Sequence, residues 1–251
     1  MPNPIYGNCR LCNLDARLVD SHIIPNFYFK SLKEADGYYY VQSTDPSKRE
    51  FKKQKGITEN LFCAKCDNVR LQRNEDHLAK VLFGGHLTFS REVGRLFVVK
   101  GYDYKKVKNG LLSILWRMSL AKDGFFSEVD LGPKHEERLR VALLNDTELA
   151  EEDYPVLVTA PLFDGKDLGN MMIPPDFTRT DGNRVYRCII SGLLFTFFVG
   201  AAPIGHSSRQ LILRRNSWPI IRAKVEEIPF LFDACKQLAK ANLARQNTGR
   251  D

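Results

Sequence analysis

No run of this sequence is both long and apolar enough to cross a bilayer. The most apolar stretch, from Cys188 to Pro203, is about 16 residues and is interrupted by Ser191 and Gly192, whereas a spanning helix needs about 20. A pair of buried strands suits it better. The first eighteen residues are polar and lack the apolar segment of a secretory leader, so the expectation is a cytoplasmic protein with no membrane partner. Internal repeats and low-complexity tracts are absent. Beyond residue 85 there is no P-loop, no dinucleotide fingerprint and no G-x-S-x-G elbow, which leaves that region without a motif for nucleotide or serine-hydrolase chemistry.

What is present suffices for a globular core. The 251 residues are 43% hydrophobic and 27% charged, enough for one large domain or two small ones. The formal net charge of +7 favours an anionic partner, nucleic acid first. Lys48, Arg49, Lys52, Lys53 and Lys55 crowd one loop, and Lys100, Lys105, Lys106 and Lys108 crowd another, while acidic residues gather between Asp146 and Asp153. The first basic loop follows Tyr38-Tyr39-Tyr40. Cations interleaved with aromatics read as a phosphate-tracking surface supplying salt-dependent, sequence-independent affinity for DNA, or as a solvated loop.

Two of the six cysteines, Cys188 and Cys235, stand alone in apolar surroundings and read as core. The other four form two C-x-x-C pairs, Cys9/Cys12 and Cys63/Cys66, about fifty residues apart. Each pair makes a tight knuckle that aims two thiolates at one metal, about 2.3 Å from a zinc ion. In a reducing compartment disulfides are the weaker alternative. A four-thiolate site is closed and therefore structural. The second knuckle runs into an expected helix from about Ala64 to Phe83, with Leu71, Leu78, Val81 and Leu82 at helical spacing. Zinc would pin the start of that helix to an N-terminal hairpin, the treble-clef plan.

A boundary is expected near Gly84-Gly85, dividing a zinc module (1–85) from a region 86–251. In the latter, Arg95–Lys100 reads as a strand and the apolar run around Leu111–Met118 as a helix. A second helix runs from about Lys134 to Leu144, with Pro133 in its first turn. Strand-length runs follow at Pro155–Leu162, Met171–Ile173, Val185–Ile190, Leu193–Gly200, Gln210–Arg214 and Ile220–Val225, then a helix from about Phe230 to Arg245. The class is α+β.

Between the knuckles lie Ser21-His22-Ile23-Ile24-Pro25 and Glu59-Asn60-Leu61-Phe62. The order of C-x-x-C, His-Ile-x-Pro, Asn-Leu before the second knuckle, and a helix opening there resembles the HNH (ββα-metal) endonucleases. It is particularly similar to a bacterial subgroup with "SHIIP" and "CxxCD/E" motifs, which the Ser-Ile-Leu-Trp-Arg stretch at 113–117 also resembles. The resemblance implies hydrolysis of DNA phosphodiester bonds in a bacterial or phage setting, with defence against foreign DNA as a role suggested by analogy. It casts His22 as general base, Asn60 as its orienter and Asp67 as a ligand for catalytic Mg²⁺ or Mn²⁺. Asn68, Glu75 and His77 are secondary candidates.

Helical phase pairs Asp67 with Asn74 and Asn68 with Glu75, so only one of these faces can look at His22. The family usually carries Asp, or another ligand, directly before the His, where this chain has Ser21. Asp20 points to the face opposite Ser21. Plainer readings remain open: His22 as a packed histidine, Asp67 as a helix cap worth about 0.3–1 kcal/mol, His77 as a solvated residue, Trp116-Arg117 as core. The alternative for the whole is a non-catalytic zinc-stabilised module that binds nucleic acid or a protein partner.

Overall fold

The computed structural model describes residues 3–30, 32–42, 47, 50–84, 89–169 and 171–247, with backbone alone for 89–93. Lys48, Arg49, Gly85 and His86 lie outside the described residues. The chain opens with the antiparallel hairpin of β1 (Ile5–Asn8) and β2 (Asp15–His22), followed by a short helix, α1 (Asn26–Phe29). A two-stranded ribbon comes next, β3 (Tyr39–Val41) with β4 (Phe51–Lys53). Then β5 (Thr58–Cys63) returns to pair with the free edge of β2. Leaving the second knuckle, Cys66–Leu71 form a turn of π-helix that feeds α2 (Gln72–Phe83).

The remainder builds a large sheet and its helices. In chain order these are β6 (Phe89–Val93), β7 (Leu96–Val99), α3 (Tyr104–Leu120), α4 (Gly132–Leu144), β8 (Val156–Phe163), β9 (Lys166–Asp167), β10 (Ile173–Thr180), β11 (Asn183–Ile190), β12 (Leu193–Val199), α5 (His206–Arg209), β13 (Trp218–Lys224) and α6 (Pro229–Asn247). The strand order is β10-β11-β12-β8-β13-β7-β6, with β9 on β8. All pairings are antiparallel except β13 with β8. The protein is therefore a mixed α+β structure.

The apolar stretch from Cys188 becomes the hairpin of β11 and β12, and among the described residues no helix is long and apolar enough to cross a membrane. Ser191 and Gly192 form its turn, both at positive φ (50° and 75°), the geometry that matches strand twist. A Cβ on Gly192 would fall 2.2 Å from the Leu168 carbonyl oxygen, so glycine is required there. Gln210–Arg214 departs from expectation: it makes one isolated bridge, Ile212 to Leu157, and no strand. The run expected at Met171–Ile173 is the lead-in to a longer strand, β10. Pro174 and Pro175 conceal that strand in the sequence, and an edge position tolerates them.

One hydrophobic core spans both sides of residues 84–85. Phe62 of β5 stacks on Trp116 of α3 at 5.6 Å, and Tyr28 of α1 meets Phe195 of β12 edge-on at 6.0 Å. The Ser191 hydroxyl donates to the Tyr28 carbonyl at 2.5 Å. His77 is no solvated helix residue. Its Nε2 accepts the Asp103 amide at 2.9 Å, where α3 begins. Three of the four lysines in the second basic cluster are engaged within the fold. Lys105 pairs with Asp146 and Lys106 with Asp103. Lys108 is buried, its ammonium donates to the Tyr154 carbonyl at 3.0 Å, and burial pushes its pKa down to about 7.

Helices α2 and α3 touch at Gly110, where an added Cβ would stand 3.2 Å from both the Asn74 carbonyl oxygen and Leu78 Cδ2. Gly110→Val is expected to wedge the pair apart and destabilise the fold by about 1–3 kcal/mol, read as a lower urea midpoint at unchanged slope.

Candidate metal centre and acidic cleft

The first knuckle is a turn closed by its own backbone. The Cys9 amide donates to the Leu14 carbonyl at 2.9 Å, and the Asn13 amide to the Cys9 carbonyl at 2.8 Å. Asn13, at φ 57°, reverses the chain, a conformation Asn tolerates. The Arg10 amide reaches the Leu61 carbonyl at 3.0 Å, and the Cys63 amide donates to Cys9 Sγ at 3.3 Å, locking one knuckle against the other. The ligand atoms of Cys9, Cys12, Cys63 and Cys66 lie within 4.8 Å of one another. Tetrahedral zinc thiolates stand about 3.8 Å apart, given Zn–S near 2.3 Å. The cluster could hold a metal ion such as zinc.

The surroundings favour thiolate at one ligand. Burial raises the Cys9 thiol, but the amides of Cys12, Cys63 and Leu11 outweigh it and bring it down to about 7. Burial raises Cys12 and Cys66. From α4, Arg140 donates to the Leu11 carbonyl inside the knuckle at 2.7 Å while Glu137 holds its guanidinium at 2.7 Å. Arg140, its charge already paired with Glu137, would steady a metal-bound knuckle through this hydrogen bond from outside the ligand set.

The motif around His22 resolves into local roles. Ser21 is fully buried, His22 ends β2, Ile23 and Ile24 enter the core, and Pro25 stops the strand and caps α1. His22 faces a cleft of about 680 Å³ shared with Asp20, Asp67, Asn68, Glu75 and Arg117, with Lys30 and Lys80 among its other lining residues. Asp20, set aside in the sequence because it opposes Ser21, is for that reason on the His22 side. Burial lowers the pKa of His22, against the pull of Asp20, Asp67 and Glu75. Burial raises that of Asp67, against Arg117, a hydrogen bond from Ser21 and His22.

The expected choice between the Asp67 and Glu75 faces does not arise. In a regular helix, residues eight apart diverge by about 80°. The π turn, in which the Gln72 amide reaches the Asp67 carbonyl, absorbs one residue and brings both side chains to the cleft. Asn74 instead is buried.

Arg117 is the group that sequence reading assigned to core and that the structure places at this cleft. Its side chain is 1% exposed, pairs with Glu75 at 2.6 Å and donates to the His22 carbonyl at 2.7 Å. An arginine inside an apolar helix was the available signal, since a buried charge needs a partner.

Asn60 is exposed on β5 and does not line the cleft. Its neighbour Glu59 accepts the Lys122 and Asp123 amides at 2.7 and 3.0 Å, at the end of α3. Among the described residues, no group of three or more His, Cys, Asp or Glu side chains other than the cysteines draws its ligand atoms within 4.8 Å. On the ribbon, Lys52 pairs with Asp36 at 2.8 Å and lies 5.1 Å from the Tyr40 ring centroid. Lys53 lies 5.6 Å from that of Phe51, and the Lys55 carbonyl accepts from the Tyr39 hydroxyl at 2.8 Å.

The purified chain is expected to carry about one zinc per molecule. Cys63→Ser should abolish retention, and Arg140→Ala should release zinc faster to a colorimetric chelator at unchanged stoichiometry. No protein-family profile, no curated protein and no solved structure matches this chain.

Proposed function

We propose that the chain is a metal-dependent endonuclease of the HNH type that hydrolyses phosphodiester bonds in DNA in the cytoplasm, its cysteine cluster holding structural zinc. The observation that carries this reading is the meeting of His22 and Asp67 in one cleft whose lining also includes Lys30, Lys80 and Arg117. Phosphodiester hydrolysis needs a base for water and positive charge around the phosphate. His22 is the base: its lowered pKa keeps the imidazole neutral and able to accept a proton at neutral pH. The lysines attract the phosphate backbone without reading sequence.

Asp67, with Asp20 beside it, offers the hard oxygen donors that suit Mg²⁺ or Mn²⁺, and such an ion, when bound, would neutralise charge on the phosphate. Glu75 serves differently, engaged by Arg117. Asn60 does not line the cleft, so the orienting role falls to Arg117, which holds the His22 backbone. Lys52, Lys53 and Lys55 of the neighbouring ribbon add positive charge for a nucleic-acid backbone, whereas Lys48 and Arg49, expected to join them, lie outside the described residues. The second reading, a binding module that cuts nothing, is favoured by Ser21 standing where the family usually carries Asp or another ligand, and by cleft carboxylates that form no tight ligand group.

Supercoiled plasmid is expected to be cut with Mg²⁺ or Mn²⁺ and left intact without them. His22→Ala should lower the rate by about 10²–10⁴ while zinc content and unfolding midpoint hold. Intact plasmid under every condition, with retarded migration in a gel, would leave only the binding module. Because burial lowers the His22 pKa, the neutral base persists to below the ordinary value of 6.5. The cutting rate should therefore be level from neutral pH down to about 6.5 and fall only below it, as the imidazole is protonated.

A further inference from the structure

The cysteine cluster and the acidic cleft share one short stretch of chain. Cys66 closes the cluster, and the next two residues, Asp67 and Asn68, line the cleft. The π turn over Cys66–Leu71 lets one stretch do both. If α2 stayed in place and this stretch were wound as a regular helix, Asp67 would stand about 80° from Glu75. Asp67 would then leave the cleft, and Cys66 would turn away from the other three cysteines. We infer that a metal ion on the four cysteines holds the π turn, so that emptying the cluster lets the turn relax to a regular helix and withdraws Asp67 from His22. The inference rests on metal binding by the cysteines and not on the nuclease reading of the cleft.

The downstream end of the turn is anchored without any metal. Arg70 donates to the Leu144 carbonyl at 2.6 Å, and Leu71 is buried. Glu75 pairs with the buried Arg117 at 2.6 Å, and Leu78 packs at Gly110. These contacts fix the direction of α2 from the core. The upstream end depends on Cys66, whose sulfur lies with three others within 4.8 Å. A bound zinc ion joins such sulfurs through four bonds of about 2.3 Å. With the ion gone, no bond ties Cys66 to Cys9, Cys12 or Cys63.

Between the two anchors little resists a change of winding. Val69, within the turn, is 61% exposed. Burial of its carboxylate works against Asp67 in the cleft, and a hydrogen bond from Ser21 and the attraction of Arg117 work for it. Winding of the i→i+5 kind survives mostly as single turns inside regular helices, so this one persists because both flanks are fixed. The coupling is reciprocal: whatever holds Asp67 in the cleft also favours metal on the cysteines.

The test reads the position of Asp67 through its effect on His22, apart from any activity. A carboxylate beside an imidazole favours the protonated form, so Asp67→Asn reports whether the carboxylate is there. The His22 titration is followed by NMR, with His22→Gln assigning the signal. Zinc-loaded protein is compared with protein stripped by a chelator under reducing conditions. In loaded protein Asp67→Asn is expected to lower the His22 midpoint by about half a unit or more. In stripped protein the same substitution should leave the midpoint unchanged, while thermal unfolding stays cooperative. Deleting Val69 removes the extra residue, and a regular helix then meets both anchors. In that variant Asp67→Asn should lower the midpoint with or without zinc.

An equal Asp67→Asn shift in loaded and stripped protein would overturn the inference, because Asp67 would stay beside His22 with the cluster empty. No shift in loaded protein would overturn it as well. So would a chain that purifies without metal, one that unfolds entirely on stripping, or a Val69 deletion whose shift still needs zinc. A zinc-dependent shift in a protein that leaves plasmid intact would keep the coupling and remove the nuclease. Plasmid cutting alongside an equal shift would do the reverse.

Discussion

A guanidinium almost wholly withdrawn from water, donating at once to Glu75, to the His22 carbonyl and to both oxygens of Ser113, joins the three elements that build the cleft. Arg117 belongs to α3, Glu75 to α2 and His22 to the end of β2. A buried charge is tolerable only when paired and hydrogen-bonded, and removing one partner of such a pair costs about 3–5 kcal/mol. That cost makes the arrangement cooperative: α2 cannot rotate, and β2 cannot slip, without stranding Arg117. The position of His22 relative to Asp67 is thus governed from the far side of the chain, by a residue about fifty positions beyond the second knuckle.

The π turn is the other half of this constraint. Cys66 must face the cysteine cluster, while α2 must present Glu75 to Arg117 and Leu78 to Gly110. A regular helix starting at the knuckle would place Asp67 and Glu75 out of phase. One residue absorbed between Cys66 and Leu71 reconciles the two demands, and such insertions recur at functional sites. The cysteine cluster and the acidic cleft are therefore mechanically linked, because the same short segment supplies Cys66 to one and Asp67 and Asn68 to the other.

The region after residue 85 carries no motif of its own, yet it completes the N-terminal part. It contributes Arg117 to the cleft, Arg140 to the first knuckle, Trp116 beneath Phe62, and Phe125 with Met172 to a second cavity beside α1. Contacts of that kind join one continuous core. The large sheet supplies the backing on which α1 rests, through Phe195 and Ser191.

Sequence alone was enough for the features that depend on local chemistry and spacing. Two C-x-x-C knuckles close by their own turns, so the four cysteines could be grouped from their spacing. The apolar run from Cys188 was legible as two strands because it is too short for a bilayer and broken by Ser191-Gly192. His22 and Asp67 were singled out by resemblance, and both line one cleft. What tertiary structure decided is everything that depends on phase and partner. Asp20 lies in the cleft, Asn60 does not line it, and Asp67 and Glu75 share a face only because one π turn shifts the register. Arg117 looked like core because it is buried, and its partners stand 42 and 95 residues away. A chain specifies such long-range pairings through packing of the whole core, and no local window of residues contains that information.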